Sequence, residues 1–187
     1  MRLFLASESP RRQILLKQLI EDFAVEAAGV EEIDSSADPL EVAVCNAALK
    51  ARAVSLRHPE DWVLGADTVV ILDGRSYGKP KDLQEAAEVL KKFSGRTHQV
   101  VTAISLQRAA DDCKHDLVAT TEVVFRNLTD EVIGEYLATV PVLDKAGAYG
   151  IQERGELLVE SFSGELENVI GLPVAALKPL LESLKII

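Results

Sequence analysis

The N-terminal segment most constrains the fold, because three consecutive patterns there predict a strand, a polar loop and a helix. An apolar run, Leu3–Ala6, is followed by the polar hexapeptide Ser7–Arg12 and then by apolar residues at helical spacing over 14–20. Ser9 is a favoured residue for the N-cap of that helix, and Pro10 is favoured at its first position. A strand that leads through a short loop into a helix is typical of α/β folds.

The same segment has the chemistry of an anion-binding site. The backbone N–H groups and the positive dipole end of the helix would meet the hydroxyls of Ser7 and Ser9 and the guanidinium groups of Arg11 and Arg12. Because paired guanidinium N–H groups match phosphate oxygens, phosphate is the anion expected there. No Gly-rich phosphate loop occurs elsewhere in the sequence.

Composition restricts the functions that are open to the chain. Its 187 residues are 48% hydrophobic and carry a formal net charge of −10. Those values allow one domain with a full core and disfavour a nucleic-acid-binding surface. The two cysteines form no metal-binding or disulfide pattern, and neither a signal peptide nor an apolar run of about 18 residues is present. We therefore expect a cytoplasmic protein that binds neither nucleic acid nor membrane; a homodimer is compatible with the sequence.

Helices and strands alternate along the rest of the chain, which predicts an α/β fold with a mixed sheet. Strands are expected at 23–28, 63–66, 68–72, 97–106, 117–125 and 157–159, and helices at 39–57, 83–93, 129–138 and 173–184. The two longest strands flank a charged tip, so we expect them to form an antiparallel hairpin. Pro179 predicts a kink or a break in the last helix.

Two charged residues stand in apolar surroundings. Asp67 lies between two hydrophobic strand patterns, where a carboxylate is costly unless it is paired or used. An aspartate in a turn, bonded to its own backbone, explains Asp67 equally well. Lys50 has small apolar neighbours on a helix, so its stem can cross a buried face with the ammonium in a cleft. Extension of Lys50 to solvent is the slightly favoured alternative.

Three further polar residues are individually ambiguous. Lys79 is held extended by Pro80, which favours a fixed cation, although exposed lysines are common. Gln152 follows a run of small residues, and its amide can pair with the edge of a base. An exposed strand residue is at least as good an interpretation. Glu32 lies in an acidic loop that is solvated by default, and only a metal requirement would make it an oxygen ligand.

Six sequence blocks follow one another over nearly the whole chain: SESPRR, GADTVV, GKPKD, SGRTHQVVTA, DKAGAYGIQ and NVIGLPV. In this combination they resemble the Maf family of nucleotide pyrophosphatases. The resemblance implies a single Maf-like domain over 1–187, with an elongated mixed β-sheet flanked by helices and two lobes around a central cleft, as in inosine-triphosphatase-like folds. It also implies hydrolysis of dTTP and UTP to the monophosphate and pyrophosphate with a divalent cation, Mg²⁺ or Mn²⁺.

The resemblance also implies roles for the matching residues. Asp67 matches the proton acceptor, which would deprotonate a water that attacks the α-phosphorus, and Lys50 and Lys79 join it in the catalytic set. The expected phosphate-binding residues are Ser7, Ser9, Arg11 and Arg12. The expected metal ligands are Glu32 and Asp67. The residues that match the dTTP/UTP branch of the family are Arg12, Thr68 and Gln152.

Two other functions stay open on the sequence. A nucleotide-sensing regulator of septum formation and cell division could use the same cations to bind without turnover, but such a protein gains nothing from a carboxylate such as Asp67 beside a triphosphate. A hydrolase of inosine-type nucleotides fits the architecture but not the branch residues Arg12, Thr68 and Gln152.

Overall fold

A computed structural model describes residues 2–33 and 38–187. The strands are β1 Leu3–Leu5, β2 Ala24–Val25, β3 Trp62–Leu72, β4 Arg75–Tyr77, β5 Thr97–Arg108, β6 Cys113–Phe125 and β7 Val159–Ser163. The α-helices are α1 Pro10–Leu16, α2 Pro39–Ser55, α3 Leu83–Phe93, α4 Asp130–Thr139, α5 Leu166–Ile170 and α6 Val174–Ser183. Short 3-10 helices lie at Ala146–Ala148 and Gly155–Leu157. No helix within these residues is long and apolar enough to cross a membrane.

The strands form one mixed sheet in the order β2-β1-β3-β5-β6-β7, with β4 paired to β3. Strand β1 pairs in parallel with both neighbours, and Leu5 lies opposite Val25 on one side and Leu64 on the other. The β3–β4 and β6–β7 pairs are antiparallel. The predicted fold class, a mixed α/β sheet with helices, is therefore confirmed. The two longest strands, β5 and β6, are neighbours in the sheet and are joined through 109–112, as expected.

Most helix starts follow from local chemistry. The side chains of four N-cap residues accept a hydrogen bond from a backbone N–H in the first turn, and Pro10 and Pro39 take the first helical position of α1 and α2. Those N-cap residues are Ser9, Asp38, Asp82 and Thr129. Helix α6 runs through Pro179 without a break.

Some predicted boundaries were wrong. The residues expected to form two strands, 63–66 and 68–72, belong to the single strand β3, because Asp67 keeps the extended conformation. The strand predicted at 157–159 is replaced by a 3-10 helix, Gly155–Leu157, and β7 begins only at Val159. Arg154, with a φ of 55°, lies in the turn that leads into this 3-10 helix, and Leu158 keeps helical backbone angles, so the chain becomes extended only after Leu158. Helix α5 was not predicted.

The chain divides into two compact units. The first comprises Met1–Thr68, Thr102–Ala119 and Gly171–Ile187, and the second comprises Val69–Val101 and Thr120–Ile170. In the first unit, buried side chains of β1, α2 and β3 pack together, among them Phe4, Val54 and Val63. In the second unit, a larger core includes Phe93, Phe125 and Tyr136.

Gly65 lets strand β3 lie directly on helix α2 in the first unit. A Cβ atom at Gly65 would stand 2.2 Å from the carbonyl oxygen of Ala47 and 2.7 Å from the amide nitrogen of Ala51. Both neighbours are backbone atoms, which cannot rotate away. The residue two positions before Asp67 is therefore restricted to glycine by packing, and this contact sets how closely α2 approaches β3.

We expect Gly65→Ala to lower the free energy of unfolding by about 3 kcal/mol, the upper end of overpacking costs, because the helix must move off the strand. Urea denaturation followed by circular dichroism measures the change. Gly134→Ala is the matched control, since a Cβ at Gly134 in α4 meets nothing within 4 Å and alanine favours the helix by about 0.5–1 kcal/mol. Equal midpoints for Gly65→Ala and the wild type would contradict this account.

Candidate active site

A buried ion pair stands at the centre of the candidate site in the first unit. Lys50 on α2 and Asp67 on β3 are only 8% and 7% exposed. Lys50 Nζ donates to Asp67 Oδ1 at 2.7 Å and lies 3.0 Å from Glu32 Oε1. The alternatives in which Asp67 lies in a turn and Lys50 extends to solvent are therefore wrong. Two carboxylates instead share one ammonium group.

Asn46 holds the backbone beside Glu32. Its amide accepts from the N–H of Ile33 at 2.8 Å and donates to the carbonyl of the same residue at 3.1 Å. Asn46 and Lys50 are four residues apart on α2 and so lie on the same face of the helix. One face of α2 thus binds both the backbone after Glu32 and the Glu32 carboxylate itself.

The guanidinium of Arg12 is held by three groups of the first unit. Nε donates to the carbonyl of Gly171 at 2.9 Å, Nη2 donates to Thr68 Oγ1 at 3.1 Å, and Nη1 donates to Ser7 Oγ at 3.4 Å. Thr68 Oγ1 also lies 3.0 Å from Thr102 Oγ1. These contacts fix the plane of the guanidinium group before any ligand binds.

The electrostatics of Arg12 connect it to the ion pair. Burial lowers the pKa of Arg12 below its ordinary value, the charges of Asp67 and Glu32 oppose that shift, and Arg11 adds to it. Arg12 therefore lies within the electrostatic field of both carboxylates and of the second arginine. These side chains form one cluster of mixed charge in the first unit.

Hydroxyl groups organise the loop between β1 and α1. Ser7 Oγ accepts from the N–H of Ser9 at 3.2 Å, and Ser9 Oγ caps the helix by accepting from the N–H of Arg12 at 3.5 Å. Ser9 Oγ thus accepts a hydrogen bond from the helix N-terminus, and its O–H can still donate to another group. Ser7 is buried, which places its hydroxyl below the surface of the loop.

Two of the predicted site residues belong to the second unit. Lys79 is exposed and lines a depression of about 270 Å³ together with Tyr77, Pro80 and Lys92. Gln152 is exposed in the turn that precedes the 3-10 helix Gly155–Leu157, so its interpretation as a strand residue is wrong although its exposure was expected. The structure brings the other predicted residues together in the first unit.

Two contacts of Arg12 and Thr68 were not predicted. Thr102 is fully buried on β5, and its hydroxyl is the second partner of Thr68. Gly171 has a φ of 126°, a conformation that favours glycine, and its carbonyl accepts from Arg12. Both residues lie inside blocks recognised in the sequence, SGRTHQVVTA and NVIGLPV, but no local pattern distinguishes them from their neighbours.

Glu32 and Asp67 fit a divalent cation that is also bound by phosphate oxygens of a ligand. Among 2–33 and 38–187, no three His, Cys, Asp or Glu side chains are grouped closely enough to hold a metal on their own. Glu32 and Asp67 already converge on the single ammonium of Lys50. Mg²⁺ commonly binds through one or two carboxylates together with substrate phosphates and water, so this pair fits a cation that arrives with a phosphorylated ligand.

Comparison with solved structures supports the fold. A structure of the Ham1 protein of Staphylococcus aureus matches 98% of this chain and 99% of its own with a TM-score of 0.60 and 18% sequence identity. At this identity the match concerns the architecture alone.

Sequence comparison identifies relatives and a family. Proteins named dTTP/UTP pyrophosphatase from Akkermansia muciniphila and Bacillus velezensis are each 46% identical to the chain; the first match covers 91% of this chain and 89% of the relative, and the second 93% and 92%. A protein of the same name from Symbiobacterium thermophilum is 48% identical over 92% of this chain and 89% of the relative. The family model described as Maf-like protein matches residues 2–184. Since that model spans almost the whole chain and these relatives are nearly half identical to it, the chain belongs to the Maf family.

Proposed function

We propose that this protein is a nucleoside triphosphate pyrophosphatase that hydrolyses dTTP and UTP to the monophosphate and pyrophosphate. The observation that carries the proposal is the buried Asp67, bound by Lys50 and lying in the field of Arg12. Such a buried charge pair contributes little net stability, so chemistry is the better reason for it. Its relatives' names agree with this reaction. We assign 1–187 to one Maf-like domain and to the cytoplasm.

In the proposed reaction, Asp67 orients a water molecule toward the α-phosphorus and accepts its proton. The hydrogen bond from Lys50 to Oδ1 fixes the carboxylate, and we assign Oδ2 to the water. Water attack forms a new P–O bond at the α-phosphorus, and the bond to the bridging oxygen breaks. Pyrophosphate leaves with the electron pair of that bond.

The cations stabilise the charge that develops on the leaving group. Arg12 is already oriented by Ser7, Thr68 and Gly171, so little reorganisation is needed when phosphate binds. We assign Arg11, Ser7 and Ser9 to the same phosphates. Loss of one such preorganised contact costs on the order of 3 kcal/mol at the transition state. We also assign Lys79 to the phosphates, because its GKPKD block resembles the corresponding block of the Maf family.

Glu32 and Asp67 are the residues that we assign to a divalent cation, Mg²⁺ or Mn²⁺. Once bound, such an ion supplies positive charge at the phosphate oxygens and acidifies a coordinated water. The two carboxylates would supply some of its oxygen ligands, and phosphate oxygens of the nucleotide would supply others. We therefore expect metal affinity to rise when nucleotide is present.

A panel of nucleoside triphosphates, assayed with Mg²⁺, with Mn²⁺ and with chelator, tests this proposal. We expect pyrophosphate as the first product, fastest with UTP and dTTP, and no turnover with chelator. Orthophosphate as the first product would mean attack at the γ-phosphorus. Tight nucleotide binding without any product would instead favour the regulator of cell division.

Gln152→Ala tests how the base is selected. An amide that donates and accepts can match the edge shared by uracil and thymine, so its loss should reduce the preference for UTP over GTP by about tenfold, the value of one good hydrogen bond. Ratios of kcat/KM for the two nucleotides measure the effect. Gln84→Ala, at an exposed glutamine of α3, is the control. Equal rates on GTP and UTP in the wild type would contradict the assignment.

A further inference from the structure

Lys145 is a buried cation of the second unit that the proposed reaction does not use. It is 4% exposed, and its Nζ donates to the carbonyl of Pro141, lies 2.9 Å from Asp144 Oδ1 and lies 3.2 Å from Glu153 Oε1. A lysine side chain loses considerable rotamer freedom when it is buried. Three acceptors that converge on one ammonium offset that loss and fix the ends of the segment 141–153.

Tyr136 binds the backbone of the same segment at Gly150. The hydroxyl of Tyr136 accepts from the N–H of Gly150 at 2.9 Å and donates to the carbonyl of the same residue at 3.3 Å. The stem of Lys145 also packs against Gly150, because a Cβ at Gly150 would stand 2.9 Å from the Cε atom of Lys145. Tyr136 therefore binds Gly150, and Lys145 binds Glu153. These two residues lie on either side of Gln152 in the sequence.

The backbone around Gln152 adopts conformations that need such support. Ala148 and Arg154 have φ values of 61° and 55°, and a residue with a side chain costs about 1–2 kcal/mol there. Conformations of this kind persist when surrounding contacts determine them, and they concentrate at functional sites. Arg154 is itself bound to Glu135 at 2.5 Å and to Thr139 at 3.2 Å. The backbone on both sides of Gln152 is thus bound to the second unit, although Gln152 itself is exposed.

We propose that Lys145 is a positioning residue for base selection, which it performs by fixing the turn that presents the Gln152 amide. The inference rests on the proposed function, in which Gln152 contacts the pyrimidine. A backbone that is held in one conformation presents the Gln152 amide from one position, so less ordering entropy is lost when it pairs with a matching donor and acceptor edge. An amide on a loose turn would reorient and accept other bases.

Lys145→Met tests the inference. We expect KM for UTP and dTTP to rise about tenfold, which corresponds to about 1.4 kcal/mol, while kcat and the constants for GTP stay near wild type. The preference for pyrimidines then falls by the same factor. Lys145→Arg, which keeps the charge, should restore part of the preference. A general loss of structure would instead lower the rates on all nucleotides together.

Further variants separate the outcomes. Lys178→Met, at an exposed lysine of α6, is the control. If Lys145→Met does not fold, Glu153→Gln is the substitute, because it weakens one contact of Lys145 and leaves the lysine in place. In Lys145→Met/Gln152→Ala the preference should equal that of Gln152→Ala alone. Wild-type preference in Lys145→Met and Glu153→Gln, or additive losses in the double variant, would overturn the inference. Unchanged preference in Gln152→Ala would overturn the base assignment itself and the inference with it.

Discussion

Asp67→Asn is expected to reduce the turnover of UTP and dTTP by at least about 10³-fold while nucleotide binding stays largely intact. Asparagine has nearly the same shape and still accepts a hydrogen bond from Lys50, but its amide cannot take the proton of the attacking water. Arg12 keeps its contacts with Ser7, Thr68 and Gly171. Rates of pyrophosphate release, together with calorimetric titration of UTP, separate the loss of chemistry from a loss of binding.

Asp116→Asn is the matched control for this substitution. Asp116 is also a strand aspartate of the first unit beside a lysine, since its Oδ2 lies 2.8 Å from Lys114 Nζ and its Oδ1 accepts from Ser105 at 2.7 Å. We expect near wild-type turnover in that variant. Rapid hydrolysis by Asp67→Asn would refute the role of Asp67 as proton acceptor, and a loss of binding as large as the loss of turnover would leave it only the role of holding the cation and the nucleotide.

Lys50→Met is expected to impair both stability and turnover. Removing the ammonium leaves the buried Asp67 carboxylate without its partner and facing Glu32. Breaking a buried ion pair in this way costs about 3–5 kcal/mol of unfolding free energy. Turnover should fall at least about 10²-fold, since the carboxylate is no longer oriented and the charged cluster loses a cation. Urea denaturation and initial rates with UTP measure the two effects.

An exposed lysine pair provides the comparison for Lys50→Met. Lys91 lies 2.8 Å from Asp130 with both side chains more than half exposed, so Lys91→Met should cost less than about 1 kcal/mol. Adding Asp67→Asn to Lys50→Met removes the uncompensated charge and should restore part of the stability but none of the turnover. Equal stability losses for the two lysine variants would contradict a buried, coupled pair.

Local sequence patterns predicted the helix starts and most strands well, because they depend on short-range hydrogen bonds. The capping groups of Ser9, Asp38 and Asp82 act within two or three residues of themselves. The predictions failed where conformation depends on distant contacts or on a single unusual residue. Asp67 stays extended within β3, with its side chain paired to Lys50 of α2. Arg154 has a positive φ that no local pattern reveals, and it leads into a 3-10 helix that replaces part of a predicted strand.

The sequence by itself determined the family, the α/β class and the residue types available for phosphate chemistry, since these follow from motif order and local periodicity. Only the tertiary structure decided which charges meet. Lys50 reaches Asp67 across 17 positions, and Arg12 reaches the Gly171 carbonyl across 159. Such pairings are set by parallel strand order and by the close packing of α2 on Gly65. The free energy of burying a charge is a property of those assembled surroundings, and no single segment contains it.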